Sequence, residues 1–282
     1  MIQIICVAGA GTMGRGIALA AAQSGFSAIL FEINENVLQV AQKHISTLLD
    51  KQVAKEKISA EEKQAIYDRL VFTSNIEQCK ADLIIEAIIE IPAAKDQLFK
   101  QLADINDAKT ILASNTSSLS ISAIQKNIPN PGRVAGMHFF NPANVMKLVE
   151  LVKGNDTSDE AIESLKLICR QMGKTPVVCK DAPGFIVNRV ARSYYLEAMK
   201  LLEENKATLE DIDIAMEACG FKMGPFKLMD LIGLDINLAV SISVYEAMNN
   251  AIRFKPSSLQ QKKVAAGELG RKTGKGFYAY DK

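Results

Sequence analysis

The sequence predicts an α/β fold: a mostly parallel sheet covered by helices, followed by an all-α C-terminal domain. Three observations carry that expectation. Short apolar runs alternate with helical segments from Ile2 to Cys179, the pattern of a parallel sheet with helical crossovers. A glycine-rich loop, Gly9-Ala-Gly-Thr-Met-Gly14, joins the first apolar run to the first helix. From Phe185 onward only helical spacing is found, with no convincing strand.

Taken in order, Ile2–Ala8 is short and almost wholly apolar, as a strand buried on both faces should be. Arg15–Ser24, rich in Ala, Leu and Ile, reads as a helix ending near Gly25. Ala28–Glu32 is a second strand, and Asn34 caps a helix through Val37, Leu38, Ala41 and Ile45. Ser59 and Glu62 form a capping box for a helix through Ile66 and Leu70. Asp82–Ala87 is a strand, and Pro92 opens a helix through Leu98 and Leu102. Thr110–Ser114, Val134–Phe139, Leu148–Val152 and Thr175–Cys179 are further strands, with a helix over Thr157–Met172 before the last. Lys180-Asp-Ala-Pro-Gly184 is a natural hinge, which places the domain boundary near Ala182 and gives domains 1–182 and 183–282. In the second domain Ile186, Val190, Tyr194, Ala198 and Leu201 form an apolar stripe at helical spacing.

A chain of 282 residues with 48% hydrophobic content can bury a sizeable core. Its 33 Lys+Arg nearly cancel 32 Asp+Glu, so no basic excess points to nucleic acid. The longest apolar stretch, around Leu228–Val244, is broken by Asp230, Asp235 and Asn237, and no membrane span is expected. The start has no basic leader and no cleavage site, and is expected to be mature sequence. Five cysteines with no CxxC spacing fit reduced thiols in the cytoplasm. Four of them sit among apolar neighbours, with Cys79, between Gln78 and Lys80, as the exception. With two histidines and no clustered ligands, no protein-held metal is expected.

The loop Gly9, Ala10, Gly11, Thr12, Met13, Gly14 has the GxGxxG spacing of a Rossmann-type dinucleotide site. Gly9 makes the tight turn, Gly11 admits a pyrophosphate and Gly14 lets the helix pack on the strand. The helix N-terminus offers N–H groups to the phosphates. Glu32, at the end of the second strand, can accept both ribose hydroxyls and would repel a 2′-phosphate. No Arg follows it, so NAD is favoured over NADP. His44 lies in a polar helical stretch and reads as a surface residue. His138 stands at the end of a strand in an open sheet, where ligands bind. Glu150, an acid within an apolar strand, is its candidate orienting partner, with an ion pair to Lys147 as the alternative. Ser114–Ser118 is a polar run that can hold a substrate oxygen or cap the helix over 120–125. Asn188, one turn into the first helix after the hinge, offers an amide to a substrate oxygen or lies on the helix surface.

Together GAGTMGRGIA, ASNTSSLSI, HFFNPANVMKLVELV, GKTPVVCKDAPGFIVNR, GPFKLMDLIGLD and KTGKGFY resemble the 3-hydroxyacyl-CoA dehydrogenase family, specifically its single-chain 3-hydroxybutyryl-CoA members. The resemblance covers essentially the whole chain. It implies hydride transfer between NAD and (S)-3-hydroxybutyryl-CoA or a similar short 3-hydroxyacyl-CoA, with acetoacetyl-CoA as the oxidised partner. It implies His138 as base, Glu150 as its carboxylate, and Ser117 and Asn188 around the reacting oxygen. Glu90, Lys95, Asn115, Asn141 and Lys272 fall where the family contacts NAD or the cleft. The segment with Lys51 and Lys55, and Lys57 beyond, resembles the family's CoA-facing region. The ribose position, commonly Asp in the family, is Glu32 here. The length leaves no room for the hydratase domain of fused members, so no hydratase activity is expected. The nearest rivals are a dehydrogenase of a free hydroxy acid or sugar acid, and a non-catalytic NAD-binding protein. Within Ile236–Met248, Ile236, Val240, Val244 and Ala247 lie along one face and Leu238, Ile242 and Tyr245 along another. A helix apolar on two sides needs burial on two sides, and with the resemblance this implies a homodimer through the C-terminal domain.

Overall fold

The computed structural model describes residues 2–281, which fall into two compact units that divide between Asp181 and Ala182. In the first unit the elements follow in chain order: β1 (Ile4–Ala8), α1 (Thr12–Gln23), β2 (Ser27–Phe31), α2 (Glu35–Ala54), α3 (Ala60–Asp68), β3 (Leu70–Thr73), β4 (Leu83–Glu86), α4 (Pro92–Ile105), β5 (Ile111–Ser114), α5 (Ile121–Gln125), β6 (Val134–Phe139), β7 (Leu148–Lys153), α6 (Asp159–Gln171) and β8 (Thr175–Lys180). They build one eight-stranded sheet in the order β3-β2-β1-β4-β5-β6-β7-β8. All neighbours are parallel except β6 and β7, which run antiparallel.

The caps explain why these segments start where they do. The Asn34 side chain accepts from Asn36 and Val37 N–H, and Ser59 and Glu62 complete a reciprocal capping box. Pro92 occupies the first turn of α4, where its missing N–H costs nothing. The central strands are buried except at Ile4, the first residue of β1, and Ile5, Val7, Leu30, Leu83, Ile85 and Leu151 join helix residues such as Ile17, Ala41 and Leu165 in one core.

Three expectations are corrected here. Leu70 is not the last turn of a helix: α3 ends at Asp68, and Leu70–Thr73 pairs with β2 as an edge strand. Four residues, buried only at Leu70 and Thr73, are too short a run to outweigh the helical periodicity that precedes them. Cys79 is buried, with its thiol against Cys6, and Cys219 is the exposed cysteine. The helix after β7 begins at Asp159, because Ser158 caps it and Thr157 folds back onto Val134 O.

The second unit holds α7 (Val187–Glu203), α8 (Leu209–Ala218), α9 (Pro225–Ile232), α10 (Leu234–Ala247) and α11 (Ser258–Ala265) around a separate core that includes Tyr195, Met199, Phe226, Met229 and Leu234. Two buried carboxylates organise it. Asp213 accepts from Phe226 and Lys227 N–H and from the Tyr278 hydroxyl. Asp230 accepts from Phe277 and Tyr278 N–H and from the Tyr280 hydroxyl. The expected stripe on α7 is offset from the buried face. Val190 is 69% exposed, whereas Arg192, Tyr195, Ala198 and Met199 are buried. A guanidinium takes the core position because Asn237 and Ser241 of α10 accept its hydrogen bonds. No single helix among the described residues is long and apolar enough to cross a membrane.

Candidate active site

The strand order reverses at β1 and β4, whose C-terminal ends open a crevice of the kind that binds ligands in open α/β sheets. Gly9 has φ +107, and a Cβ there would meet Ala87 O at 2.6 Å. A Cβ on Gly14 would lie 1.7 Å from Gly9 O, so helix and loop pack at a distance only glycine allows. At Gly11 an added Cβ meets nothing, which leaves the loop's outer face open to a phosphate. No side chain caps the N-terminus of α1. A cavity of about 690 Å³ begins at Gly9 and Gly11 and is walled by Glu32, Ile33, Val37, Ile88, Ile89 and Leu98, among others. Ile33 and Ile89 are 80% and 63% exposed, apolar walls of a size suited to a planar base. Glu32 accepts from Ala10 N–H at 3.0 Å and from Asn34 N–H at 3.1 Å, which pins its carboxylate beside the loop. The residues present thus fit a dinucleotide.

His138 and Glu150 face each other across the antiparallel β6–β7 pair. His138 Nδ1 lies 2.7 Å from Glu150 Oε2, and both side chains are buried. A carboxylate only accepts, so Nδ1 is the nitrogen that carries the proton in this pair. The Phe140 ring lies 4.6 Å from the imidazole and restricts its rotation. Asn115 Oδ1 accepts from Phe139 N–H at 2.9 Å, tying the loop after β5 to the histidine's strand.

Beside them lies a buried charge network that sequence reasoning caught only in part. Lys95 Nζ sits 2.5 Å from Glu86 Oε1 and 3.1 Å from Glu90 Oε2. Glu86 also accepts from the Ser114 hydroxyl at 2.6 Å and Ile88 N–H at 2.8 Å. Glu90 takes the Thr116 hydroxyl, Ser117 N–H and the Ser118 hydroxyl. Burial pushes the Glu90 carboxyl up, but the Lys95 ammonium, Thr116 and Ser117 outweigh it and hold its pKa below the ordinary value. Glu86 was missed, and Thr116, read only as part of the Ser114–Ser118 run, binds Glu90. An acid inside the apolar run LIIE carries the same signal that singled out Glu150.

His44 is exposed on α2, its pKa drawn down first by partial burial and then by Arg15 and Lys51. Lys51 lies exposed in the last turn of α2, Lys55 caps its end, and Asn141 is exposed just after β6. In the second unit, the Asn188 carbonyl accepts from Arg192 Nε, and Lys272 is ion-paired with Asp235 at 2.6 Å.

Residues 4–182 match the sequence profile described as 3-hydroxyacyl-CoA dehydrogenase, NAD binding domain, and residues 184–280 match that of the C-terminal domain of the same family. The chain belongs to the 3-hydroxyacyl-CoA dehydrogenase family. Among its relatives, a 3-hydroxyadipyl-CoA dehydrogenase of Escherichia coli is 47% identical over 98% of this chain, which spans only 59% of that longer protein. A probable 3-hydroxybutyryl-CoA dehydrogenase of Bacillus subtilis is 40% identical, with 99% of this chain and 98% of the relative covered. The crystal structure of (S)-3-hydroxybutyryl-CoA dehydrogenase from Ralstonia eutropha superposes with a TM-score of 0.95, at 38% identity and with 100% of both chains covered.

Proposed function

We propose that this member of the family interconverts a short (S)-3-hydroxyacyl-CoA, such as 3-hydroxybutyryl-CoA, and its 3-ketoacyl-CoA. The observation that carries the reading is the buried His138–Glu150 pair on a sheet whose crevice fits a dinucleotide. NAD, held by the Gly9–Gly14 loop and Glu32, supplies the hydride acceptor or donor for C3. His138 Nε2 takes the proton of the 3-hydroxyl in oxidation and returns it to the ketone oxygen in reduction. Glu150 holds the ring in the required tautomer and stabilises the imidazolium that forms. The Ser117 hydroxyl and the Asn188 amide orient the 3-oxygen toward the histidine. Glu90, Lys95, Asn115, Asn141 and Lys272 complete the nucleotide surroundings, Lys95 and Lys272 acting through their carboxylate partners. Lys51 and Lys55 attract CoA phosphates on the exposed side of α2.

The name of the Escherichia coli relative extends the candidate substrates to 3-hydroxyadipyl-CoA. The free-acid alternative is disfavoured by the lysines of α2, which a substrate without CoA would not use. The test is the near-ultraviolet absorbance of NADH on addition of acetoacetyl-CoA, run beside free acetoacetate. Loss of NADH with the thioester alone supports the reading. Equal rates with the free acid sink it, as does inactivity with both.

The second unit is proposed to carry a homodimer contact. Ile236 and Ile242 of α10 are 51% and 38% exposed, and Ile214 on α8 is 60% exposed, so apolar surface of this unit, α10 included, is left uncovered by its own chain.

A further inference from the structure

We propose that Arg192, together with the side-chain amide of Asn237, receives the terminal carboxylate of an ω-carboxylated acyl chain, so that dicarboxylic 3-hydroxyacyl-CoA thioesters are the favoured substrate class. The inference rests on the acyl-CoA reading above and adds the residues that select the acyl end.

Arg192 lies on α7 and is 3% exposed. Its hydrogen bonds all go to neutral groups: Nε to Asn188 O at 3.0 Å, and Nη1 to Asn237 O at 2.9 Å, Asn237 Oδ1 at 3.3 Å and Ser241 Oγ at 2.8 Å. The Tyr195 ring lies 4.9 Å from its guanidinium carbon. Among the described residues no carboxylate pairs with it, unlike Lys95, which is held by Glu86 and Glu90. A buried charge is expensive to leave without a counter-charge. Burial pulls the guanidinium pKa down to about 10, against the opposing effect of Tyr195, so the group remains cationic at neutral pH.

The unused hydrogen-bonding capacity is of one kind on Arg192 and its nearest amide. Nη2 donates to nothing among the described residues, and the Nδ2 of Asn237, itself 1% exposed, is buried without a partner. Each nitrogen carries two N–H groups. A cation flanked by orphaned donors calls for an anionic acceptor, and a carboxylate has the oxygens to serve both. The one orphaned acceptor nearby, Gln260 Oε1, is the far end of an amide whose Nε2 donates to Asn237 Oδ1 at 2.9 Å.

Position decides which carboxylate. Arg192 stands four residues beyond Asn188, and side chains so spaced share a helix face. The helical rise between them is roughly 6 Å. Asn188 is read as holding the oxygen on C3. A six-carbon diacid thioester extends three carbon–carbon bonds past C3 and ends in a carboxylate, a reach comparable to that rise. A four-carbon chain ends in a methyl group one bond past C3 and leaves the guanidinium without its counter-charge.

The experiment compares kcat/KM for 3-hydroxyadipyl-CoA and 3-hydroxybutyryl-CoA, with NAD, in the wild type, Arg192→Met and Asn237→Asp. Asn237→Asp keeps the side-chain shape, gives Arg192 an internal carboxylate and repels an incoming one, so it separates recognition from folding. Wild type should favour the dicarboxylic substrate by at least about tenfold, and each variant should lower that preference by about 10–100-fold, the worth of one charge-assisted contact. Asn237→Asp should melt no earlier than wild type. A wild type that turns over 3-hydroxybutyryl-CoA without favouring the diacid overturns this inference alone, as does a preference that survives Asn237→Asp. Inactivity toward both thioesters overturns the acyl-CoA reading and the inference with it.

Discussion

Lys95→Met tests whether the buried charges beside the site hold the first unit together. The Lys95 side chain is 1% exposed and bridges Glu86 and Glu90 at 2.5 and 3.1 Å. Methionine preserves the aliphatic reach and removes only the cation. Glu86, with a side chain 0% exposed, would keep the Ser114 hydroxyl and Ile88 N–H but no positive charge. Removing one partner of such a pair costs about 3–5 kcal/mol. For a unit of this size each kcal/mol moves Tm by about 2–4 °C, so a fall of roughly 6–20 °C is expected at neutral pH. The sign of the pH dependence follows from Glu90. Its folded pKa lies below the ordinary 4.5, with burial opposing and Lys95 the first of the groups that lower it. Its contribution is therefore fully present above 4.5 and is lost as pH falls through the depressed folded value, where the unfolded chain binds more protons. Lys95→Met removes that contribution, so the gap between wild type and variant should narrow in acid. Thermal melts followed by circular dichroism, at neutral pH and in steps below 4.5, provide the measurement. A loss under about 1 kcal/mol at neutral pH would refute the reasoning, since the smallest cost expected of a broken buried pair is about three times larger. A gap that widens in acid would refute the assignment to Glu90.

Further outcomes follow from the same geometry. His138→Gln should lower kcat by about 10²–10⁴-fold while NADH binding, measured by fluorescence, persists; near-wild-type turnover would remove His138 from the role of base. Glu32→Ala should weaken NAD binding and narrow its advantage over NADP, and a wild type that already prefers NADPH would contradict the role given to Glu32. Light scattering at micromolar concentration should report at least twice the 30.7 kDa chain mass, and a mass at the monomer value would defeat the dimer.

Much of the first unit was legible because its signals are local. The glycine loop, the Asn34 cap, the Ser59–Glu62 box and Pro92 each act within a few residues, and each stands where the residues indicate. What was not legible depends on partners distant in sequence. Leu70–Thr73 is a strand because β2 offers an edge, which nothing in those four residues announces. Cys79 has polar sequence neighbours, Gln78 and Lys80, yet its thiol turns inward against Cys6. Arg192 breaks the apolar stripe of α7 because Asn237 and Ser241, on another helix, accept its hydrogen bonds. In the second unit the motifs GPFK and GKGFY carry a structural reason as well. A Cβ on Gly224 would sit 2.4 Å from the Asp213 carboxyl, and one on Gly276 would sit 2.1 Å from Asp230 Oδ1.

The direction of β7 shows how topology completes the site. His138 and Glu150 were each recognisable alone, but their pairing requires β7 to run against β6. In the observed antiparallel register His138 lies directly opposite Glu150. Were β7 parallel and aligned with β6 end to end, the fifth residue of one strand would face the fifth of the other, and His138 would meet Val152 instead. The connection decides between the two. A parallel crossover needs about a dozen residues or more, and only residues 140–147 separate the strands. The short FNPANVMK link therefore forces the one antiparallel pair in the sheet. Glu86 uses the parallel part of the same sheet in a comparable way. It is the last residue of β4, level with Ala8 on β1 and Ser114 on β5, and its carboxylate accepts from Ile88 N–H just beyond its own strand and from the Ser114 hydroxyl at the end of β5. An imidazole held across the antiparallel pair and an ammonium held from a parallel strand thus each depend on an acid placed in an apolar strand, and the sheet's change of direction sets which groups each acid meets.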